Sequence, residues 1–171
     1  MQTRILFVSG RVYFYTAAMK RFTDLVNACL PQVPELLPWD LRKRLDHNPG
    51  ILLLDVREPY EFAAMHIDGA LNVPRGVLES ACEFGYEETV PELVKARDRE
   101  IVVLCRSGFR SVLSAYTMQQ MGYTKVASLK TGLRGWNDYE QPLVSADNKL
   151  VSLEQADEYF RPKLRPDQMK S

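Results

Sequence analysis

Histidine and cysteine are both scarce: His47 and His66, with Cys29, Cys82 and Cys105, are all that 171 residues contain. Three widely spaced cysteines cannot form a disulfide framework. They make no Cys-x-x-Cys pair, and two isolated histidines complete no ligand set, so neither a metal nor another cofactor is expected. Unpaired thiols suit a reducing compartment, most simply the cytoplasm. No apolar run approaches the ~18 residues of a membrane span. The apolar stretch Ile5-Leu6-Phe7-Val8 only faintly resembles a secretory leader, because Arg11 breaks it early and no small-residue cleavage pattern follows. Residues 1–18 read equally well as native chain or as an extension upstream of Met19. A formal net charge of zero removes any general case for nucleic acid as a partner.

The charge that is present is uneven. Residues 1–33 carry Arg4, Arg11, Lys20 and Arg21 against Asp24, and the last eleven residues carry Arg161, Lys163, Arg165 and Lys170 against Asp167. Between them, residues 76–92 hold Glu79, Glu83, Glu87, Glu88 and Glu92 with no base. The basic N-terminal segment and the acidic segment 76–92 are candidate docking surfaces for a protein partner, although ordinary solvated faces have the same composition.

Apolar runs of strand length, Ile51 to Val56, Ala70 to Val73, Ile101 to Leu104 and Lys125 to Leu129, alternate with stretches of helical period. That order predicts an α/β layered fold with a mainly parallel sheet flanked by helices. Phe22, Leu25, Val26 and Cys29 mark one face of a helix over 20–30. Trp39, Leu41 and Leu45 mark the inward face of another from Pro38. Ser152 with Gln155 forms a capping box for a helix to about Phe160. The expected organisation is a helical extension over 1–33, a domain over 34–145, and a C-terminal helix and tail over 146–171.

The most informative stretch is Cys105-Arg106-Ser107-Gly108-Phe109-Arg110-Ser111. A lone cysteine sits where a strand ends and a helix begins, so loop N–H groups and the helix N-terminus converge on its sulfur and favour an anion. Such a cysteine is a nucleophile.

Four motifs in order resemble the rhodanese family of sulfurtransferases. They are Leu54-Asp55-Val56-Arg57-Glu58 with Tyr60-Glu61-Phe62, His66 to Pro74, the Cys105 loop, and Leu129 to Trp136. Met65 stands where the family has glycine, and Thr131-Gly132 replaces a Gly-Gly pair. The resemblance implies a rhodanese-like fold and a persulfide mechanism. Cys105 would take the outer sulfur of thiosulfate or a related persulfide donor and pass it to a thiol or to cyanide. The loop from Arg106 to Ser111 would form an anion-binding nest around that sulfur. Arg110 would fix the loop and help hold the donor, with Arg106 at the entrance, Ser107 and Ser111 offering hydroxyls, Gly108 permitting the turn, and Phe109 lining the site. Asp55 would orient the loop, Arg57 and Glu61 would form an ion pair, Trp136 would pack beside the site, and His66 would be a core hydrogen-bonding residue.

Cys29 reads as packing, and Cys82, in its acidic segment, as a dulled thiol. Two rivals differ in kind. One is a slow or non-catalytic persulfide carrier acting on a protein partner. The other is a cysteine phosphatase, which in this fold has five residues between cysteine and arginine and a histidine before the cysteine. Here four residues separate Cys105 from Arg110, and Leu104 precedes the cysteine.

Overall fold

The computed structural model describes residues 4–8, 11–15 and 19–169. The reading of residues 1–18 as an upstream extension therefore falls partly outside the described residues. Strands β1 (Arg4–Val8) and β2 (Arg11–Tyr15) pair antiparallel, so the extension expected to be helical over 1–33 is helical only at α1 (Phe22–Cys29). The β-branched and aromatic run Val12-Tyr13-Phe14-Tyr15 explains the difference, since such residues favour strands.

The remaining elements follow in order: β3 (Glu35–Leu36), α2 (Pro38–His47), β4 (Leu52–Asp55), α3 (Pro59–Ala64), β5 (Leu71–Asn72), α4 (Leu78–Ala81), α5 (Pro91–Val94), β6 (Ile101–Leu104), α6 (Phe109–Gln120), β7 (Val126–Leu129), α7 (Gly132–Asp138) and α8 (Leu153–Phe160). The five strands β3 to β7 form one parallel sheet in the order β3-β7-β6-β4-β5. The layered α/β fold is thus the one anticipated. β4 and β6 lie side by side at its centre and are buried throughout, as unbroken apolar runs covered on both faces should be.

Each sheet face carries its own core. One packs Val26, Leu78, Leu93, Val112 and Met118 from the α1, α4, α5 and α6 side. The other packs Leu41, Leu133, Trp136, Ala156 and Phe160 from α2, α7 and α8. The C-terminal helix is therefore built into the core, and its Ser152–Gln155 capping box forms as the sequence indicates. Two amphipathic assignments change. Phe22 and Leu25 are exposed while Val26 and Cys29 turn inward, and Trp39 lies at the surface against Tyr139. Among the described residues no helix is long and apolar enough to cross a membrane.

Parallel strands end together, so the carboxyl ends of β4 and β6 bring Asp55 beside Leu104, with Cys105 next in the chain. Loops beyond such strand ends are where ligands bind in sheets of this kind.

Candidate active site

Cys105 leaves β6 at the base of a tight loop that turns into α6 at Gly108 (φ 92°). This left-handed conformation strains any residue with a Cβ and is open to glycine. The turn aims two backbone donors at one atom: the N–H groups of Gly108 and Ser111 reach Cys105 Sγ at 3.2 and 3.3 Å. Ser111 Oγ lies 3.4 Å from the same sulfur and 2.8 Å from Ser128 Oγ, and it also donates to Gly108 O. A sulfur that has lost its proton can only accept. Ser111 can then turn its hydroxyl hydrogen toward it, while Ser128 donates to Ser111. Both serines are fully buried. Ser128 was missed in the sequence; the signal available was a lone hydroxyl within the apolar strand Val126 to Leu129.

The loop is held from behind by α7. Leu133 N–H donates to Cys105 O at 2.8 Å, and Arg134 N–H donates to Arg106 O at 3.0 Å. Thr131 (φ 65°) and Gly132 (φ 62°) are both left-handed. A Cβ at Gly132 would fall on the backbone of Cys105, Arg106 and Ser107, so this glycine allows α7 to approach the loop. Thr131 is a β-branched residue in a conformation better suited to glycine, which locates the effect of the Thr-Gly substitution in the turn behind the loop.

The charged residues are arranged differently from the expectation. Arg57 does not pair with Glu61. Its guanidinium lies on Asp55, with Nε 3.0 Å from both carboxylate oxygens and Nη2 2.7 Å from Oδ2, and Nη2 also donates to Met65 O at 2.7 Å. Both residues are fully buried. Asp55 thus organises β4 and the end of α3, and makes no hydrogen bond to the Cys105 loop.

Glu61 instead receives Arg110 in a bidentate pair at 2.7 and 2.8 Å. Arg110, expected to fix the loop and to help hold the donor, is accordingly held at both of its terminal nitrogens at the mouth of the loop. Burial pulls the Glu61 carboxyl up, but the Arg110 hydrogen bonds and charge outweigh it and hold it below the ordinary carboxylate range. The same hydrogen bonds push Arg110 up against the opposing effect of burial, and the charges of Glu61, Cys105 and Asp55 add to that.

A pH dependence follows. Because the folded Glu61 is depressed, its contribution to stability is complete above the unfolded value and is lost as pH falls through the folded one. Glu61→Gln should cost roughly 2 kcal/mol in denaturant unfolding at neutral pH. The gap to the wild type should close below about pH 4. A gap unchanged between neutral and strongly acidic pH would contradict the pairing.

Arg106 also points elsewhere than expected. Its Nη2 donates to the carbonyls of Tyr159, Phe160 and Arg161, and its guanidinium lies over the rings of Tyr159 and Phe160. Ser107 is half-buried, and its hydroxyl has no hydrogen-bond partner among the described residues. Phe109 stands at the rim, edge-on to Phe22. Trp136, on α7, is buried in the core and donates from Nε1 to Pro142 O. His66 is likewise a core residue, stacked on Phe62 with Nδ1 at Phe62 O.

Cys105 itself is only 1% exposed. Ser107, Phe109 and Arg134 above it line two adjoining grooves, of about 1070 and 360 Å³. The other two cysteines are buried in the core on the α1 and α4 side of the sheet. Burial, more than the acidic segment, pushes the Cys82 thiol up, with Glu79 adding only slightly.

Comparison with known proteins now decides the family. Residues 38–139 match the Rhodanese-like domain. The chain belongs to that family. A sulfurtransferase of Allochromatium vinosum is 31% identical over 115 residues, covering 67% of this chain and 98% of that protein. The thiosulfate:glutathione sulfurtransferase of Saccharomyces cerevisiae is 28% identical, over 53% of this chain and 67% of its own. The rhodanese domain can also be part of a larger protein. This chain spans 51% of the Bacillus subtilis protein YrkF, named for sulfur carriage, and 25% of a Mycobacterium tuberculosis relative, at 31% identity to each.

Solved structures show the fold. A thiosulfate sulfurtransferase from Pseudomonas aeruginosa superposes with a TM-score of 0.60 at 24% identity, covering 81% of this chain and 26% of that one. A Rhodopseudomonas palustris protein described as a possible tyrosine phosphatase gives 0.66 at 24% identity, over 75% and 97%.

Proposed function

We propose that this rhodanese is a thiosulfate-type sulfurtransferase acting through a persulfide on Cys105. The observation that carries the reading is the convergence of the Gly108 and Ser111 N–H groups on Cys105 Sγ. That geometry supports a sulfur that stays anionic both as thiolate and as persulfide, since the same donors serve either.

In the first half-reaction the Cys105 thiolate attacks the outer sulfur of thiosulfate. A sulfur–sulfur bond forms to Cys105 while the donor's own breaks, and sulfite departs with the electron pair. In the second, cyanide attacks the terminal sulfur and leaves as thiocyanate, returning the thiolate; a thiol acceptor would leave as its persulfide. The enclosed position of Cys105 supports a small terminal sulfur as the group that enters. Residues 34–145 form the catalytic unit, and a reducing cytoplasm would keep Cys105 as a thiol between turnovers.

Phosphate transfer fits the loop less well. Four residues lie between Cys105 and Arg110, and Arg110 is already held at both of its terminal nitrogens by Glu61.

Steady-state assays with thiosulfate and cyanide varied together test the proposal. Parallel double-reciprocal lines are expected, because the donor's product leaves before the acceptor binds. Intersecting lines would contradict a covalent relay. Stoichiometric loading without turnover would favour the slow carrier.

A further inference from the structure

β7 carries a serine among apolar residues. Val126, Ser128 and Leu129 are all buried, and Ser128 is 0% exposed. The sheet fixes its place: Ser128 pairs in register with Val103 of β6, and its N–H donates to Pro34 O at 2.9 Å. A buried hydroxyl without a hydrogen bond is costly. Among the described residues the Ser128 hydroxyl has one partner, Ser111 Oγ at 2.8 Å.

That single partner decides which of the two donates. If Ser111 gave its hydrogen to Ser128, the Ser128 hydrogen would be left buried and unpaired, so Ser128 is the donor. The Ser111 hydrogen then has two acceptors in reach, Gly108 O at 2.8 Å and Cys105 Sγ at 3.4 Å. With Cys105 as a thiol, its S–H and Ser128 both donate to the Ser111 oxygen, and Ser111 donates to Gly108 O. On ionisation the S–H bond breaks, the proton passes to water and the electron pair stays on sulfur. The Ser111 hydrogen can then swing onto the sulfur, because Gly108 O keeps the Val112 N–H at 3.1 Å. In that state only Ser128 still donates to the Ser111 oxygen.

We propose that Ser128 is a positioning residue that favours the reactive form of Cys105 by acting through Ser111. The proposal rests on the reading of Cys105 as the nucleophile and extends it to a residue outside the loop. Without the Ser128 hydroxyl, the thiol still satisfies the Ser111 oxygen, whereas the thiolate leaves it buried with no donor. Loss of Ser128 therefore penalises the thiolate alone. The charged groups around Cys105 lie on other elements. They are Arg110 of α6 on Glu61 of α3, Asp55 of β4 on Arg57, Arg106 on the end of α8, and Arg134 of α7 above the loop. The Ser128 hydroxyl bonds none of them, so its substitution leaves them in place.

The test follows alkylation of Cys105 by iodoacetamide across pH in the full chain, with the site located by peptide mass. Valine and threonine share one shape and differ in the hydroxyl, so Ser128→Val and Ser128→Thr separate hydrogen bonding from packing. Ser128→Val should react about fivefold more slowly at neutral pH, the size of one neutral hydrogen bond. At alkaline pH, where both proteins carry the thiolate, it should react as fast as wild type. Ser128→Thr should recover most of the loss, and Ser128→Ala should match Ser128→Val if the β-branch disturbs packing. Ser111→Ala should lose about tenfold, since it removes a donor to a charged sulfur. Ser111→Ala/Ser128→Val should lose no more than Ser111→Ala alone, because Ser128 acts only through Ser111.

A Ser128→Val profile identical to wild type, equal losses in the Val and Thr variants, or losses that add in the double variant overturn the proposal. So does a wild-type Cys105 alkylated no faster than Cys29 and Cys82. Alkylation needs no sulfur transfer. A Cys105 that alkylates with this pattern yet takes no sulfur from thiosulfate sinks the persulfide reading and leaves the role of Ser128 standing.

Discussion

Cys105→Ala should abolish sulfur transfer, leaving a residual rate at least three orders of magnitude below wild type, as removal of a covalent nucleophile does. The substitution removes one sulfur and fills the site with a methyl group, so the fold should survive. Gly108 and Ser111 N–H lose their sulfur acceptor, and the buried Ser111 hydroxyl keeps Gly108 O and Ser128. Cys29→Ala and Cys82→Ala should retain activity, because both thiols are core packing and neither belongs to the loop that holds the Cys105 sulfur. Sulfur release assayed on all three variants, with circular dichroism as the check on folding, separates chemistry from stability. Substantial turnover by a folded Cys105→Ala protein would overturn the assignment of the nucleophile.

The largest stability effect should come from the Asp55–Arg57 pair. The sequence puts both at the end of a central strand, and the fold excludes water from both completely. Asp55 takes the Arg57 guanidinium and also its backbone N–H. Asn72 donates to the carbonyls of both residues, so the pair ties β4 to β5 as well as to α3. Arg57 Nη1 has no partner among the described residues, which makes the remaining bonds more important.

Asp55→Ala should destabilise the protein by about 3–5 kcal/mol, since it strands a buried guanidinium without its counter-charge. Arg57→Ala should cost a similar amount. Replacing both by apolar residues of like size should cost much less than the two single changes together, because no unpaired charge remains. Urea unfolding of the two singles and the double measures this. Single variants within about 1 kcal/mol of wild type, the range of exposed pairs, would show that the pair is unimportant.

The sequence was most legible where physics is local. Apolar runs give β4 and β6 because a strand covered on both faces has no polar side to show. The cysteine between strand and helix gives the nucleophile's place, and Ser152 with Gln155 gives the start of α8. It was least legible for long side chains whose partners lie far along the chain. Glu61 stands four residues from Arg57, a spacing that suits a helical ion pair, yet its partner is Arg110, 49 residues away. Arg57 instead folds back on Asp55 because it precedes α3 and shares no helical face with Glu61.

Arg106 likewise reads as a charge at the entrance, but it reaches carbonyls more than 50 residues later. No periodicity encodes that contact, which depends on α8 packing beside α7. The edge strand β3 has only two residues and no apolar run to announce it.

The decisive measurement is the intact mass of the protein after brief exposure to thiosulfate, followed by cyanide. The account predicts a gain of one sulfur atom, mapped by peptide mass to Cys105, and its complete loss to cyanide as thiocyanate. A protein that gains no sulfur at Cys105, or carries it on Cys29 or Cys82 instead, would contradict it.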